Sequence, residues 1–341
     1  MNKVYGILGL LVAICLYTWM ESDRFLTVGN IENVVHRVGL FGILSVGVAF
    51  VIITGGIDLS IGSVVCLVGT LLPFLLVQHG WSVPAAVTFV LGMSLAIGLI
   101  HGLLITRMRL QPFVVTLCGL LLYRGIARGI TGDQSQGFGL AFKSLRKIAT
   151  ARLPIFGSSD SMFHLPATLL TMLIVAAIAA VVLNLTGFGR YLLALGRNEE
   201  AARFSGINTD RAKLLAYVIC SGLAGVGGML FVLDINAAQP SDFGNFYELY
   251  AIAAAVLGGC SLRGGEGSIL GVVVGTAVIV ALSNMINLVH PNYQNIEFAI
   301  IGAVILAGVI ADELVRRAVA RRRAAVTASA RMEKAAQAAA Q

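Results

Sequence analysis

Apolar runs of about 20 residues recur along the whole chain, and this repetition constrains the fold more than any other feature of the sequence. A helix needs roughly 20 apolar residues to cross about 30 Å of membrane hydrocarbon. Of the 341 residues, 57% are hydrophobic and only 12% are charged, whereas ordinary soluble domains are about 25% charged. The runs are continuous and do not alternate with period two, which favours helices over a barrel. The sequence therefore predicts an all-α polytopic membrane protein.

The apolar runs predict about ten transmembrane helices. They cover residues 4–20, 34–54, 61–78, 83–105, 112–131, 166–186, 213–233, 247–262, 268–289 and 296–312. Short loops, one longer insertion at 132–165 and a basic Ala/Arg-rich tail make up the remainder. We expect a transmembrane domain over residues 1–312 and a cytoplasmic tail over residues 313–341.

The positions of the basic residues predict the orientation in the membrane, because Lys and Arg are enriched in cytoplasmic loops. A cytoplasmic N-terminus places sixteen of the 24 Lys and Arg residues on the inner side. These sixteen lie in segments 1–3, 106–111 and 187–213, at Arg263, and from residue 313 onward. Both termini are therefore expected in the cytoplasm, with the basic tail near anionic membrane lipids. Juxtamembrane basic runs are routine, so no nucleic acid partner is expected.

The sequence contains no site that would supply energy for transport. A Walker A phosphate-binding loop requires Gly-Lys followed by Ser or Thr, and the chain has no Gly-Lys dipeptide. The five His and five Cys residues are scattered without metal-ligand spacing. We therefore expect no enzyme active site, no metal and no cofactor on this chain, and buried, inert thiols. If ATP drives this protein, another chain must hydrolyse it.

The first informative motif is the segment 54–63, Thr-Gly-Gly-Ile-Asp-Leu-Ser-Ile-Gly-Ser, which interrupts an apolar stretch. Gly55 and Gly56 allow backbone bends and close helix approach. Asp58 has two interpretations. An ionisable residue in a broken membrane helix is a functional candidate, whereas Asp58 and Ser60 also suit capping of the amides that open the next span. The cap is favoured, because two spans meet here.

The second motif lies in the most charged inner loop. The sequence predicts a short helix from Asn198 to Phe204, ended by Gly206, with Phe204 as an apolar anchor. Such a helix suits docking against a partner, and a plain surface loop is an equally good alternative. The candidate residues of this loop are Arg197, Asn198, Glu199, Glu200, Ala201, Ala202, Phe204 and Gly206.

The third motif, at 247–268, is dominated by small residues that permit tight helix contact. The pattern Gly-Gly-x-x-Leu occurs here from Gly258 and also from Gly55, which suits either an internal duplication or chance. The first and third motifs together define a possible translocation or gating motif. Its residues are Gly55, Gly56, Asp58, Ser60, Glu248, Gly258 and Gly259.

These motifs, together with 111–117 (Gln-Pro-Phe-Val-Val-Thr-Leu) and Arg124-Gly125, resemble in order the permease family of ribose-type monosaccharide ABC importers over residues 25–312. The Glu200-Ala201-Ala202-x-x-x-Gly206 element resembles the EAA loop, whose helix sits in a groove of the ATPase. The longer EAA consensus continues with an apolar-Leu-Pro ending, which this chain lacks. Members of the sugar subfamily commonly differ from the consensus at this ending. Branched-chain amino acid permeases belong to the same broad group, but the motifs fit the sugar branch better.

The resemblance implies a transport subunit of the bacterial inner membrane with about ten spans and both ends inside. It implies a second permease copy or paralogue, two cytosolic ATP-binding subunits that carry ATP and Mg, and a periplasmic or lipid-anchored sugar-binding protein. The implied substrate is a monosaccharide, a ribose-like sugar or related polyol, which crosses by alternating access at the permease dimer interface.

Two other classes of function stay open from the residues alone. A proton-coupled secondary transporter would use Asp58, Glu248 or Glu297 as a protonated carboxylate in the membrane. An enzyme of the lipid phase is disfavoured, because the sequence lacks a nucleophile or metal constellation.

Overall fold

A computed structural model describes residues 2–156, 162–291 and 296–304, together with Leu306, Ala307 and Ile310. The chain divides into two units, Met1–Gln294 and Asn295–Gln341. In the second unit, residues 297–304 are helical. The end of the predicted tenth span and the predicted tail at 313–341 lie outside the described residues.

The first unit consists of helices joined by short loops and four short strands. The helices are α1 (Asn2–Glu21), α2 (Val28–Ile53), α3 (Ile61–Pro73, continued by a π-helical turn at Phe74–Gln78), α4 (Val83–Thr106), α5 (Pro112–Thr131), α6 (Lys143–Thr150), α7 (Ala167–Leu185), α8 (Gly187–Arg197), α9 (Glu199–Phe204), α10 (Thr209–Ile235), α11 (Tyr247–Leu257) and α12 (Ile269–Val289). The strands are β1 (Gln136–Gly137), β2 (Arg152–Phe156), β3 (Phe163–Pro166) and β4 (Ala237–Ala238), with β1 antiparallel to β4 and β2 antiparallel to β3.

Eight of the described helices are long and apolar enough to cross a membrane. They are α1, α2, α3 with its π-helical turn, α4, α5, α7, α10 and α12. Each contains most of one predicted span, so the apolar runs located these helices correctly. The prediction of an all-α polytopic membrane protein is confirmed.

The eighth predicted span, 247–262, is shorter than the sequence suggested. Helix α11 has 11 residues, or about 16 Å of length at 1.5 Å per residue, and cannot by itself cross roughly 30 Å of hydrocarbon. Residues 239–246, before it, form turns instead of a helix, and Phe246 has a positive φ of 64°. The helix stops short because the preceding backbone is engaged elsewhere: the guanidinium of Arg124 donates hydrogen bonds to the carbonyls of Pro240, Ser241 and Phe243.

Helix α2 occupies the centre of the first unit. Its residues are buried continuously from Val38 to Ile53, and it packs against α7, α10, α11 and α12. Phe41 forms edge-to-face ring contacts with Phe231 of α10 and Tyr247 of α11, with centroids 5.2 and 5.0 Å apart. A helix this enclosed provides a fixed frame for the elements around it.

The long insertion folds against the first turns of α2 and the end of α10. Arg152 and His164, from β2 and β3, both pair with the buried carboxylate of Glu32. About one turn along α2, the Nε2 atom of His36 lies 3.0 Å from Asp234 Oδ2 on α10. The insertion therefore ties the first end of α2 to its neighbours.

The cysteines correct one expectation. Cys66, Cys220 and Cys260 are buried as predicted, whereas Cys118 of α5 is exposed and Cys15 of α1 is half-buried. The apolar runs that hold these two thiols lie on helices whose faces are largely exposed on the outside of the bundle. An apolar neighbourhood in the sequence therefore does not place a thiol in the protein interior.

Candidate functional site

The coupling loop, residues 197–206, forms the short helix that the sequence predicted. Asn198 separates α8 from α9 with extended backbone angles, and its side-chain oxygen accepts a hydrogen bond from the Ala201 N–H at 2.9 Å. Gly206 follows α9 with φ of +83°, and its N–H donates to the Arg203 carbonyl at 3.0 Å. A residue with a Cβ is strained at that φ, so glycine suits this helix end.

The coupling loop presents one large apolar side chain to its surroundings. Phe204 is 92% exposed, although Ala202 beside it is buried. Glu199 pairs with Lys213 of α10, with Nζ and Oε2 2.6 Å apart, and Arg203 lies 3.4 Å from Asp210. These ion pairs hold α9 against the start of α10 and leave Phe204 pointing outward.

Glycines connect the coupling loop to the other two motifs. A Cβ built on Gly196 would overlap both the Ile53 carbonyl oxygen, at the end of α2, and the Gly265 nitrogen, in the loop between α11 and α12. The Gly265 N–H donates to that same Ile53 carbonyl at 2.8 Å. Gly264 lies against both Gly196 and Gly55. We call Gly55, Gly196, Gly264 and Gly265 the glycine junction, a place where backbones touch without intervening side chains.

The glycine junction was not identified as a unit from the sequence. Of its four glycines, only Gly55 is among the site residues that the sequence predicts. The contacts join positions about 70 to 210 residues apart along the chain, so no local pattern signals them.

Asp58 lies in the turn that leads from α2 to α3 and is fully buried. Its Oδ1 accepts hydrogen bonds from the Ser60 N–H at 2.9 Å and the Ser60 hydroxyl at 2.6 Å. Its Oδ2 is buried without a hydrogen-bond partner among the described residues. Asp58 therefore stabilises the turn before α3. The Ser60 side chain does not accept a hydrogen bond from an α3 amide, so it does not cap the helix.

The polar groups around Asp58 come from three helices. The Tyr217 hydroxyl of α10 donates to the Ile57 carbonyl at 3.4 Å, and His101 Nε2 of α4 lies 2.8 Å from the Tyr123 hydroxyl of α5. His101, Tyr123 and Tyr217 all lie near the Asp58 carboxyl group. A buried polar cluster thus surrounds the start of α3, at the segment that the sequence marks as an interruption of the apolar stretch.

Glu248 lies in the same region and belongs to the first turn of α11, the short helix that follows the turns at 239–246. Its buried carboxylate lies against Gly62 in the first turn of α3, where any Cβ would collide with it and with the Gly244 carbonyl. Helix N-termini favour nearby negative charge. Asp58, Ser60 and Glu248 are therefore brought together around the α3 N-terminus, which we call the α3 site.

Gly258 and Gly259 lie at the opposite end of α11, about ten residues or 15 Å of helix from Glu248. Gly258 packs directly on the Gly271 backbone of α12. The predicted gating motif therefore separates into two places, the α3 site and the α11–α12 end near the glycine junction. Among the described residues, no group of three or more His, Cys, Asp or Glu side chains is placed to hold a metal ion.

Eight long apolar helices, a central enclosed helix and a broken segment packed within the bundle define a multi-pass membrane protein. The family model for the permease component of branched-chain amino acid transport systems matches residues 30–309, and the chain belongs to this family. It is a multi-pass protein of the bacterial inner membrane.

Curated relatives cover nearly the whole chain. The ribose import permease protein RbsC of Escherichia coli strain K12 is 36% identical over 313 residues, which are 90% of this chain and 92% of the relative. RbsC of Bacillus subtilis strain 168 is 35% identical over 92% of this chain and 93% of the relative. The xylose transport system permease protein XylH of Escherichia coli strain K12 is 30% identical over the same shares. No solved structure gives a significant match.

Proposed function

We propose that this chain is the membrane subunit of a bacterial ABC importer that moves a monosaccharide, a ribose-like sugar or related polyol, into the cell. Relatives named as ribose and xylose permeases, with coverage near 90% of both chains, support this substrate class. ATP and Mg bind to separate cytosolic subunits in this proposal, because the sequence has no Gly-Lys dipeptide and so no Walker A loop. A periplasmic or lipid-anchored sugar-binding protein and a second permease complete the complex.

The exposed α9 helix is the observation that carries the proposal. Phe204 is the most exposed large apolar side chain in the described part of the protein, and an apolar anchor on a short capped helix suits a groove on a partner protein. The ATP-binding subunit is the partner we assign to it. Motion of α9 then passes through Gly196 to Ile53 and to the α11–α12 loop, because those backbones are in direct contact.

In this proposal, the α3 site links the coupling loop to the transport path. The loop from Gly55 to Ser60 starts at the glycine junction and ends at the α3 N-terminus. A displacement at the junction therefore reaches Asp58 within a few residues. Sugars carry many hydroxyls, which are costly to bury unpaired, so we infer that the polar groups around α3 adjoin the path.

The decisive experiment removes the apolar anchor. We expect Phe204→Asp to lower co-purification of the ATP-binding subunit and ATP-driven sugar uptake in proteoliposomes at least tenfold, because a charged side chain cannot enter an apolar groove without a partner. Gly206→Val has open space for its side chain but is strained by the φ of +83°, so it should uncouple ATP hydrolysis from uptake. Both variants should still insert into membranes.

The matched control is Leu140→Asp, which changes a side chain of nearly equal exposure (89%) in the long insertion. It should leave co-purification of the ATP-binding subunit unchanged. Wild-type association and uptake in Phe204→Asp would refute the docking assignment.

The second candidate function, proton-coupled secondary transport, rests on the buried carboxylates Asp58 and Glu248. Sugar uptake by reconstituted vesicles separates the two. An imposed proton gradient without ATP should drive no uptake if the chain is an ABC permease, and uptake under that gradient alone would favour the secondary transporter.

A further inference from the structure

An apolar groove with a volume of about 470 Å³ lies between α4, α7 and α10. Its twelve lining residues are all apolar or glycine, and none belongs to the coupling loop, the glycine junction or the α3 site. Gly222 of α10 keeps the groove open, since a Cβ there would lie 2.9 Å from Leu95 Cδ2. Apolar cavities stay dry, so water does not account for this space.

The groove opens on the outer surface of the helix bundle. Two of its lining residues, Leu95 of α4 and Ile178 of α7, are 46% and 59% exposed. Both belong to long apolar helices, whose exposed faces meet membrane hydrocarbon. A hydrocarbon chain of a lipid is therefore the occupant with direct access to the groove.

Basic side chains stand at the end of the groove where α7 meets α8 and α10 begins. Arg211 lies on the same face of α10 as the groove, because residues 211, 215, 218 and 222 repeat at helical spacing. Its Cα is about 10 Å along the helix from that of Val218, the nearest lining residue of α10. Arg190 is exposed at the start of α8, with its guanidinium beside Gly187.

Among the described residues, no acidic side chain pairs with the two arginines at this end. The nearby acidic residues Glu199 and Asp210 are engaged by Lys213 and Arg203. In the part of the chain that the structure describes, Arg190 and Arg211 form no ion pair. Apolar space beside uncompensated basic side chains matches the two parts of an anionic phospholipid.

We propose that the groove binds one acyl chain of an anionic phospholipid, with the lipid phosphate beside Arg190 and Arg211. The lipid then fills the gap between α7 and α10. It packs against α10, the helix whose first turns form ion pairs with the coupling loop. This site is independent of the sugar path and of the ATPase-docking assignment.

Native mass spectrometry of the full chain, purified with its partner subunits and then delipidated, tests the site. Titration with phosphatidylglycerol should show one lipid per copy of the chain, bound at least tenfold more tightly than phosphatidylcholine with the same acyl chains. Ile178→Trp fills the groove mouth and should weaken phosphatidylglycerol binding at least tenfold. Ile174→Trp, on the same helix one turn away and similarly exposed at 54%, lies outside the groove lining and should bind like wild type.

The double variant Arg190→Gln, Arg211→Gln tests the headgroup separately and leaves the apolar lining intact. It should reduce phosphatidylglycerol affinity to that of phosphatidylcholine. Equal affinities for the two lipids in wild type, or an unchanged affinity in Ile178→Trp, would overturn the proposal. Efficient cross-linking of Ile178→Cys between two copies of the chain in native membranes would also overturn it, because a second copy would then occupy the groove.

Discussion

At the scale of single residues, Asp58 is the most informative position. Its carboxylate accepts hydrogen bonds from the Ser60 N–H and hydroxyl, but no side chain of the described residues caps an α3 amide, so Asp58 orders the turn before the helix and does not cap the helix as predicted. We expect Asp58→Asn to keep most sugar uptake, since the amide oxygen still accepts the Ser60 N–H. Asp58→Leu should lose uptake and about 1–3 kcal/mol of stability, because it leaves buried donors unsatisfied. Uptake in proteoliposomes and thermal melting of the purified protein measure the two effects.

The pair of variants also discriminates between the proposed functions. Complete loss of uptake in Asp58→Asn with an unchanged melting temperature would show that the negative charge itself is required. That outcome would contradict a purely structural role and would favour a protonated carboxylate in transport.

At the scale of structural elements, the broken segment before α11 depends on Arg124. The guanidinium of this half-buried residue satisfies three carbonyls of that segment, and lone buried carbonyls are costly in a membrane. We predict that Arg124→Leu destabilises residues 239–246 by about 1–3 kcal/mol. Hydrogen exchange measured by mass spectrometry should become faster in this segment and stay unchanged in α2.

Arg128, one turn further along α5, provides the matched control. It is exposed and pairs with Asp133 at 2.7 Å, and exposed ion pairs contribute only about 0–1 kcal/mol. Arg128→Leu should therefore leave exchange in residues 239–246 at the wild-type rate. Equal exchange in both variants would mean that Arg124 does not hold the segment.

The long helices were predictable because one physical requirement, burial of backbone in hydrocarbon, imposes a run of apolar residues. Gly206 was also predictable, since the end of a helix is a local event. The short length of helix α11 was not predictable, because its apolar composition is that of a full span. The preceding backbone is not helical because it is hydrogen-bonded to Arg124, which is distant in the sequence. The grouping of Asp58 with Glu248 likewise requires contacts between segments nearly 190 residues apart.

At the scale of the whole molecule, the distribution of basic residues predicts the sidedness of the bundle. Leu140 lies in the long insertion and Phe204 in the coupling loop, and both are strongly exposed. In a background with Cys15 and Cys118 replaced by Ser, we expect Phe204→Cys to react only with cytoplasmic maleimide and Leu140→Cys only with external maleimide. Labelling of both from one side of right-side-out vesicles would contradict the predicted topology.

Helix α2 is held at both ends, by Glu32 and His36 at its start and by the Ile53 carbonyl at its finish. Its 26 residues span about 39 Å, so events at the two faces of the protein share one rigid body. A conformation that is favoured by the position of α2 therefore affects ligand binding at both faces. By thermodynamic linkage, a ligand on one face changes the affinity for a ligand on the other by a factor that is the same in both directions.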